Sequence, residues 1–214
     1  KKVKHIATLA PPPAYVEVYG FFTNPARTHL LERIKTYNEQ VELLDLRQHF
    51  AVMRMVKQEP ELQAINRAID VTITTLKSVK RKLQKYSYEY QIEADITHGY
   101  RWKGSEGHAF DPIVAGGKNA AIIHSMKNES SLDPKGLVLL DVGAQVAGYA
   151  ADISRTYSMS GNPTKRQRQV YDAVIEVQKY ATDLLKPGVI IRDNEKLVEQ
   201  FMGEKLRSLG LIKN

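Results

Sequence analysis

The sequence predicts an α+β fold, and three features of its patterning carry that expectation. Apolar residues recur at three- and four-residue intervals over residues 59–83, a glycine-punctuated stretch spans 104–161, and helical periodicity returns after Asn162-Pro163. Helices, then a block of antiparallel strands, then more helices is the order of an α+β domain. It is not the alternating order of a doubly wound parallel sheet. The 214 residues, 43% hydrophobic and 26% charged, suffice for one substantial core, or for one domain and part of another.

At the start, Pro11-Pro12-Pro13 punctuates the chain and residues 15–22 alternate as a strand would. Asn24-Pro25 offers a helix cap with proline at the first helical position, and Leu30, Leu31, Ile34 and Tyr37 follow at helical spacing. Residues 41–46 read as a second strand. Such a strand–helix–strand piece cannot enclose a core alone. Leu62, Ile65, Ile69, Ile73, Leu76, Val79 and Leu83 then mark a long one-sided helix of about seven turns at 3.6 residues each, and a shorter helix is expected over 88–98. Short apolar runs at 112–115, 120–124, Leu137–Val142 and 151–157 are the strand candidates, with Asp133-Pro134-Lys135-Gly136 as a turn. Thr164 and Gln167 have capping-box spacing ahead of the stripe Val170, Ala173, Val174, Val177 and Ala181. Pro187-Gly188 ends that helix, Asp193 is expected to cap the last one, and Gly210 stops it.

Composition excludes several function classes. No stretch approaches the roughly 18–20 continuous apolar residues of a membrane span, and no long apolar segment follows the basic start Lys1-Lys2-Val3-Lys4-His5, so neither a membrane partner nor a secretory signal is expected. The absence of cysteine removes disulfides, thiolate zinc sites and cysteine nucleophiles, and suits a cytoplasmic protein. A net charge of +7 raises the question of a polyanion. The densest basic group, Lys77, Lys80, Arg81, Lys82 and Lys85, belongs to the long helix as a solvated face, and no nucleic-acid motif is present, so no nucleic-acid partner is expected. Gly116-Gly117-Lys118 lacks the other elements of a phosphate-binding loop.

Chemistry concentrates in LLDVGAQVAGYAADISRT, where Asp141 and Asp152 lie among apolar neighbours. The stretch reads as two strands folded back on each other. A two-residue turn at Val146-Ala147 sets residue 141 opposite residue 152; a turn at Ala147-Gly148 makes them diagonal neighbours. Both registers send the two side chains to one face, whereas a three-residue loop without a bulge separates them. Two carboxylates facing each other repel, and desolvation adds to the cost. A bound cation or a shared proton relieves it, and a metal site is the sharper reading. Without cysteine the ligands must be oxygen and nitrogen, which favours manganese, cobalt, zinc or iron.

The segment with Asp141-Val142-Gly143 and Gly148-Tyr149-Ala150-Ala151-Asp152-Ile153-Ser154-Arg155-Thr156 closely resembles the Xaa-Pro aminopeptidases (aminopeptidase P) and prolidases, metallopeptidases of the pita-bread fold. Arg54-Met55-Val56-Lys57-Gln58-Glu59-Pro60-Glu61-Leu62 is similar to that family's entry into its first catalytic-domain helix, and the run from Ala109 to Ala120 followed by His124 to its substrate-side strand pair. The resemblance implies an α+β chain holding the N-terminal half of a pita-bread (creatinase/aminopeptidase-type) domain over 54–214, preceded at 1–53 by the tail of a creatinase-type N-terminal domain. It implies hydrolysis of the bond between an N-terminal residue and proline, by a hydroxide held between two divalent metal ions, manganese first and cobalt or zinc next. Asp141 and Asp152 fall on two of the family's five metal ligands, and His124 on the histidine that stabilises the tetrahedral intermediate. Arg155 is expected to support a nearby carboxylate. The remaining histidine and two glutamates have no counterpart here, since His5, His29, His49, His98 and His108 precede the aspartates and Glu195, Glu199 and Glu204 fall on a helix. Two carboxylates without the other three bind divalent metal weakly, so this chain alone is expected to lack activity and to form a homo-oligomer or take a complementing chain. The partner expected at the site is a peptide with proline second. The alternatives are a non-catalytic pita-bread binding module and a methionine aminopeptidase-like or creatinase-like relative.

Overall fold

Strand β5 (Leu137–Val142) alternates strictly: Val138, Leu140 and Val142 point to one face and are fully buried, while Leu137, Leu139 and Asp141 share the other. The structure, a computed structural model, describes residues 4–9 and 25–213. Its contacts divide the chain into two compact units, residues 1–62 and 63–214.

In the first unit, β1 (His5–Thr8) and β2 (Glu42–Asp45) pair in parallel, with helix α1 (Pro25–Tyr37) between them in sequence and α2 (Arg47–Met55) after them. The expected strand over 15–22 and the cap residue Asn24 lie outside the described residues. Neither β1 nor α2 stood out in the sequence. His5–Thr8 is too short to show a period, and α2 buries none of its residues.

The second unit is built on α3 (Glu59–Lys82), which begins four residues before it, and α4 (Glu89–Trp102). They pack on one face of an antiparallel sheet ordered β4 (Ile113–Gly116), β5, β8 (Ile153–Ser158). Val71, Leu76, Val79 and Leu83 from the first helical stretch meet Ile92, Ile96 and Tyr100 from α4 over Val114, Val138, Leu140 and Val142 of the sheet. The α3 stripe read from the sequence is only partly the buried one. Ile69 and Ile73 are half-buried and Leu62 is exposed, whereas Thr72 and Thr75 are fully buried. The Thr72 hydroxyl donates to the Ala68 carbonyl and accepts the Ala144 backbone N–H at 3.0 Å, so a polar side chain docks the strand pair onto the helix. Replacing it with the isosteric valine strands that buried N–H. Thr72→Val should cost about 1–2 kcal/mol in urea denaturation; an unchanged midpoint would show that the bond is dispensable.

A second sheet, β3 (Gly107–His108), β6 (Ala144–Val146) and β7 (Tyr149–Ala150), continues the same hairpin beyond Gly143. Two expectations are corrected here. The run 120–124 is not a strand: Gly117–Ala121 forms a short 3-10 helix and Ile123-His124 a turn, leaving Ile122 and Ile123 59% and 87% exposed with no sheet partner. Asp193 does not cap the last helix, which starts two residues earlier, and instead sits in its first turn, where a carboxylate suits the helix dipole.

The remaining expectations for this region match. The Thr164–Gln167 capping box opens α5 (Lys165–Leu184). Helix α6 (Ile191–Ser208) ends at Gly210, whose φ of 66° and bond to the Arg207 carbonyl complete the stop. The two helices form an antiparallel pair through Tyr180–Phe201 ring contact, the Lys205–Glu176 ion pair and Arg166 donating to the Leu209 carbonyl. Neither buries a residue, and Val174, Leu197 and Met202 stay open to solvent. No described helix is long and apolar enough to cross a membrane.

Candidate metal centre

The register settles between the two turns open in the sequence. Asp141 pairs with Ser154, Val142 with Ile153, Gln145 with Ala150 and Val146 with Tyr149, so the turn is Ala147-Gly148. Both turn residues have positive φ, 51° and 75°, the twist that suits a two-residue hairpin. Asp152 thus falls opposite Gly143 and diagonal to Asp141, on the face away from the α3–α4 core. Here the backbones cross closely, since a Cβ on Gly143 would lie 1.7 Å from the Ala151 carbonyl oxygen. Ala109 donates to the Gly143 carbonyl at 2.9 Å, and an added Cβ would also meet the Phe110 ring at 3.0 Å. This pinch splits the hairpin between two sheets and sets the spacing of the aspartates.

The two carboxylates sense each other. Asp152 is held above the ordinary carboxylate range by loss of water, then by the Asp141 charge, then by a hydrogen bond with Asp141. The Ser154 hydroxyl donates to Asp141 Oδ1 at 2.8 Å and orients it. Sequence reasoning passed over Ser154; its signal was the pairing register, which places it directly across from Asp141. Arg155 does not support the pair. Its neighbour across the ladder is Leu140, so it leaves on the opposite face, and its Nη1 donates to the Ser154 carbonyl at 2.7 Å.

His124 is not brought into hydrogen-bonding contact with the aspartates. It lies exposed in its turn with φ 59° and makes no hydrogen bond or ion pair among the described residues. Among the described residues no group of three or more acidic, histidine or cysteine side chains could hold a metal ion. Two carboxylates projecting from one face fit one side of a divalent-cation site and leave the other side unsupplied.

An α+β arrangement with two diagonally placed aspartates on the open face of its sheet is the class of a metallopeptidase of pita-bread type. The chain belongs to that class: it matches Metallopeptidase family M24 over residues 16–213. It is 34% identical over 172 residues to the Xaa-Pro aminopeptidase of Haemophilus influenzae, an alignment covering 80% of this chain and 40% of that protein. Its structure resembles the proline aminopeptidase P II of Yersinia pestis (TM-score 0.79, 31% identity) and the low-pH form of aminopeptidase P from Escherichia coli (TM-score 0.81, 27% identity). Both likenesses cover 99% of this chain and 48% of the other. The chain therefore spans about two fifths to one half of the length of the relatives it matches. Members of the family use divalent metals.

Proposed function

We propose that this chain is the aspartate-bearing half of a proline-directed aminopeptidase, acting on peptides whose second residue is proline. The observation that carries the reading is the pair Asp141 and Asp152, projecting from neighbouring strands on one face, with Asp152 raised in proton affinity by loss of water and then by the Asp141 charge. In this reading Asp141 and Asp152 hold divalent metal, manganese first among the candidates, and Ser154 keeps Asp141 turned towards it. When bound, the metal pair supplies the Lewis acidity and the activated water that amide hydrolysis needs. His124 serves the substrate side, where a neutral or protonated imidazole can donate to the carbonyl oxygen as it gains charge. Proline suits such a site because its tertiary amide has no N–H, so ring shape rather than a donor is tested.

The open faces support a covering polypeptide. Outer edges of β4 and β8 lack strand partners among the described residues, and α5 and α6 keep apolar side chains in water. We infer a second copy or a complementing chain there. The reading is tested by mixing the purified chain with the uncovered C-terminal portion of the Yersinia relative, adding manganese, and following release of the first residue from an Xaa-Pro peptide. The chain alone should be inactive and the mixture active, with an Xaa-Ala peptide spared. A complex that forms but cleaves neither peptide with manganese, cobalt or zinc would overturn it.

A further inference from the structure

We propose that Glu89 is a positioning residue that latches the loop carrying His124, gripping both of its ends through one buried carboxylate. Its consequence for catalysis rests on the role given to His124 above; the latch itself is a matter of geometry. Glu89 is 1% exposed, and no lysine or arginine pairs with it among the described residues. It opens α4, where free N–H groups and the helix dipole favour negative charge. Oε1 accepts the Gly116 backbone N–H at 2.8 Å and Asn119 Nδ2 at 2.9 Å, while Oε2 accepts the Ser130 backbone N–H at 2.9 Å. Gly116 and Ser130 bracket residues 117–129, and Asn119 Nδ2 also reaches Ser130 Oγ at 2.9 Å. One turn along the helix Glu93 adds a second tie. Its Oε2 accepts from Asn128 Nδ2 at 2.8 Å, and Asn128 also accepts the Val114 N–H and donates to the Pro112 carbonyl.

His124 has no hydrogen bond of its own among the described residues, so its place is set where the loop is anchored rather than where it stands. A carboxylate offers only acceptors, which matches three donors. A carboxamide cannot: whichever way it turns, its NH2 faces the N–H of Gly116 or of Ser130. The Ser130 end has independent support, because Glu89 N–H donates to the Ser130 carbonyl at 3.0 Å and Leu132 N–H to the Ser87 carbonyl at 2.8 Å. Loss of the charge therefore frees the Gly116–Asn119 end first.

The test is hydrogen exchange by mass spectrometry on the 214-residue chain, with Glu89→Gln and the milder Asn119→Ala, alongside the His124 ring resonances. Glu89→Gln should speed exchange over 116–122 by at least about tenfold, leave 137–158 within about twofold, and shift and sharpen the His124 signal. Asn119→Ala should do the same more weakly, and it decides alone if Glu89→Gln does not fold. In the complemented enzyme, Glu89→Gln should lower kcat with manganese affinity unchanged. Unaltered loop exchange, an equal acceleration over 137–158, or an unmoved His124 signal would overturn the latch. Failure of the metal reading would show instead as wild-type chain that ignores manganese while its loop still responds to Glu89→Gln.

Discussion

Gly143→Ala should unfold or severely destabilise the second unit, at a cost of about 3–5 kcal/mol, a large fraction of the stability of an ordinary domain. The added Cβ would sit 1.7 Å from the Ala151 carbonyl oxygen and 2.7 Å from its carbonyl carbon, and both belong to backbone that cannot rotate away. Relief requires the two strands to part, which breaks the Ala151-to-Ala144 bond at 3.0 Å and the Ala109-to-Gly143 bond beside it. Gly148→Ala is the matched control. Its φ of +75° is strained for alanine, but nothing lies within 4 Å of the added methyl, so it should cost only about 1 kcal/mol. Thermal melts of both variants followed by circular dichroism check the contrast. If Gly143→Ala melts no lower than Gly148→Ala, the close crossing that spaces the aspartates is wrong.

Asp152→Asn should act in opposite directions with and without metal. The folded-state proton affinity of Asp152 is raised, so the stability linked to this group is complete below the ordinary aspartate range and is lost as pH rises through the raised value. At neutral pH the pair is therefore a liability in the metal-free chain. Asp152 is exposed, and solvent screening keeps the gain from Asp152→Asn to about 0.5 kcal/mol, or 1–2 °C in Tm. That gain should shrink as the pH falls towards the ordinary aspartate range and vanish below it, where wild-type Asp152 takes up its proton. With manganese the order reverses. Wild type gains about 1.4 kcal/mol at a tenfold excess over its Kd, and the variant, its affinity down by about a hundredfold, gains almost nothing. Calorimetric titration beside melts from below the ordinary aspartate range to neutral pH measures both arms. Equal manganese responses in the two proteins would remove Asp152 from the site.

The pairing that matters most was half legible. The apolar run at Leu137–Val142 and the apolar setting of two aspartates suggested a folded-back strand pair, with both carboxylates on one face for either two-residue turn and on opposite faces for a three-residue loop. Choosing Ala147-Gly148 required the crossing at Gly143, a contact between backbones that no side-chain pattern reports. His124 was placed on a strand because residues 120–124 are apolar; with no neighbouring strand to accept them, those residues turn outward instead. Arg155 illustrates the same limit, since a one-residue step along a strand reverses the face.

Local rules of chain geometry therefore determined what the sequence shows unaided: the α+β order, the long helix α3, the Thr164–Gln167 cap and the Gly210 stop. Only the tertiary structure decided that Thr72 docks the hairpin, that Ser154 orients Asp141, and that buried Glu89 ties the loop bearing His124. These are contacts between residues distant in sequence or across a register, and Thr72 and Glu89 are buried because each finds its polar partners there, which periodicity cannot foresee.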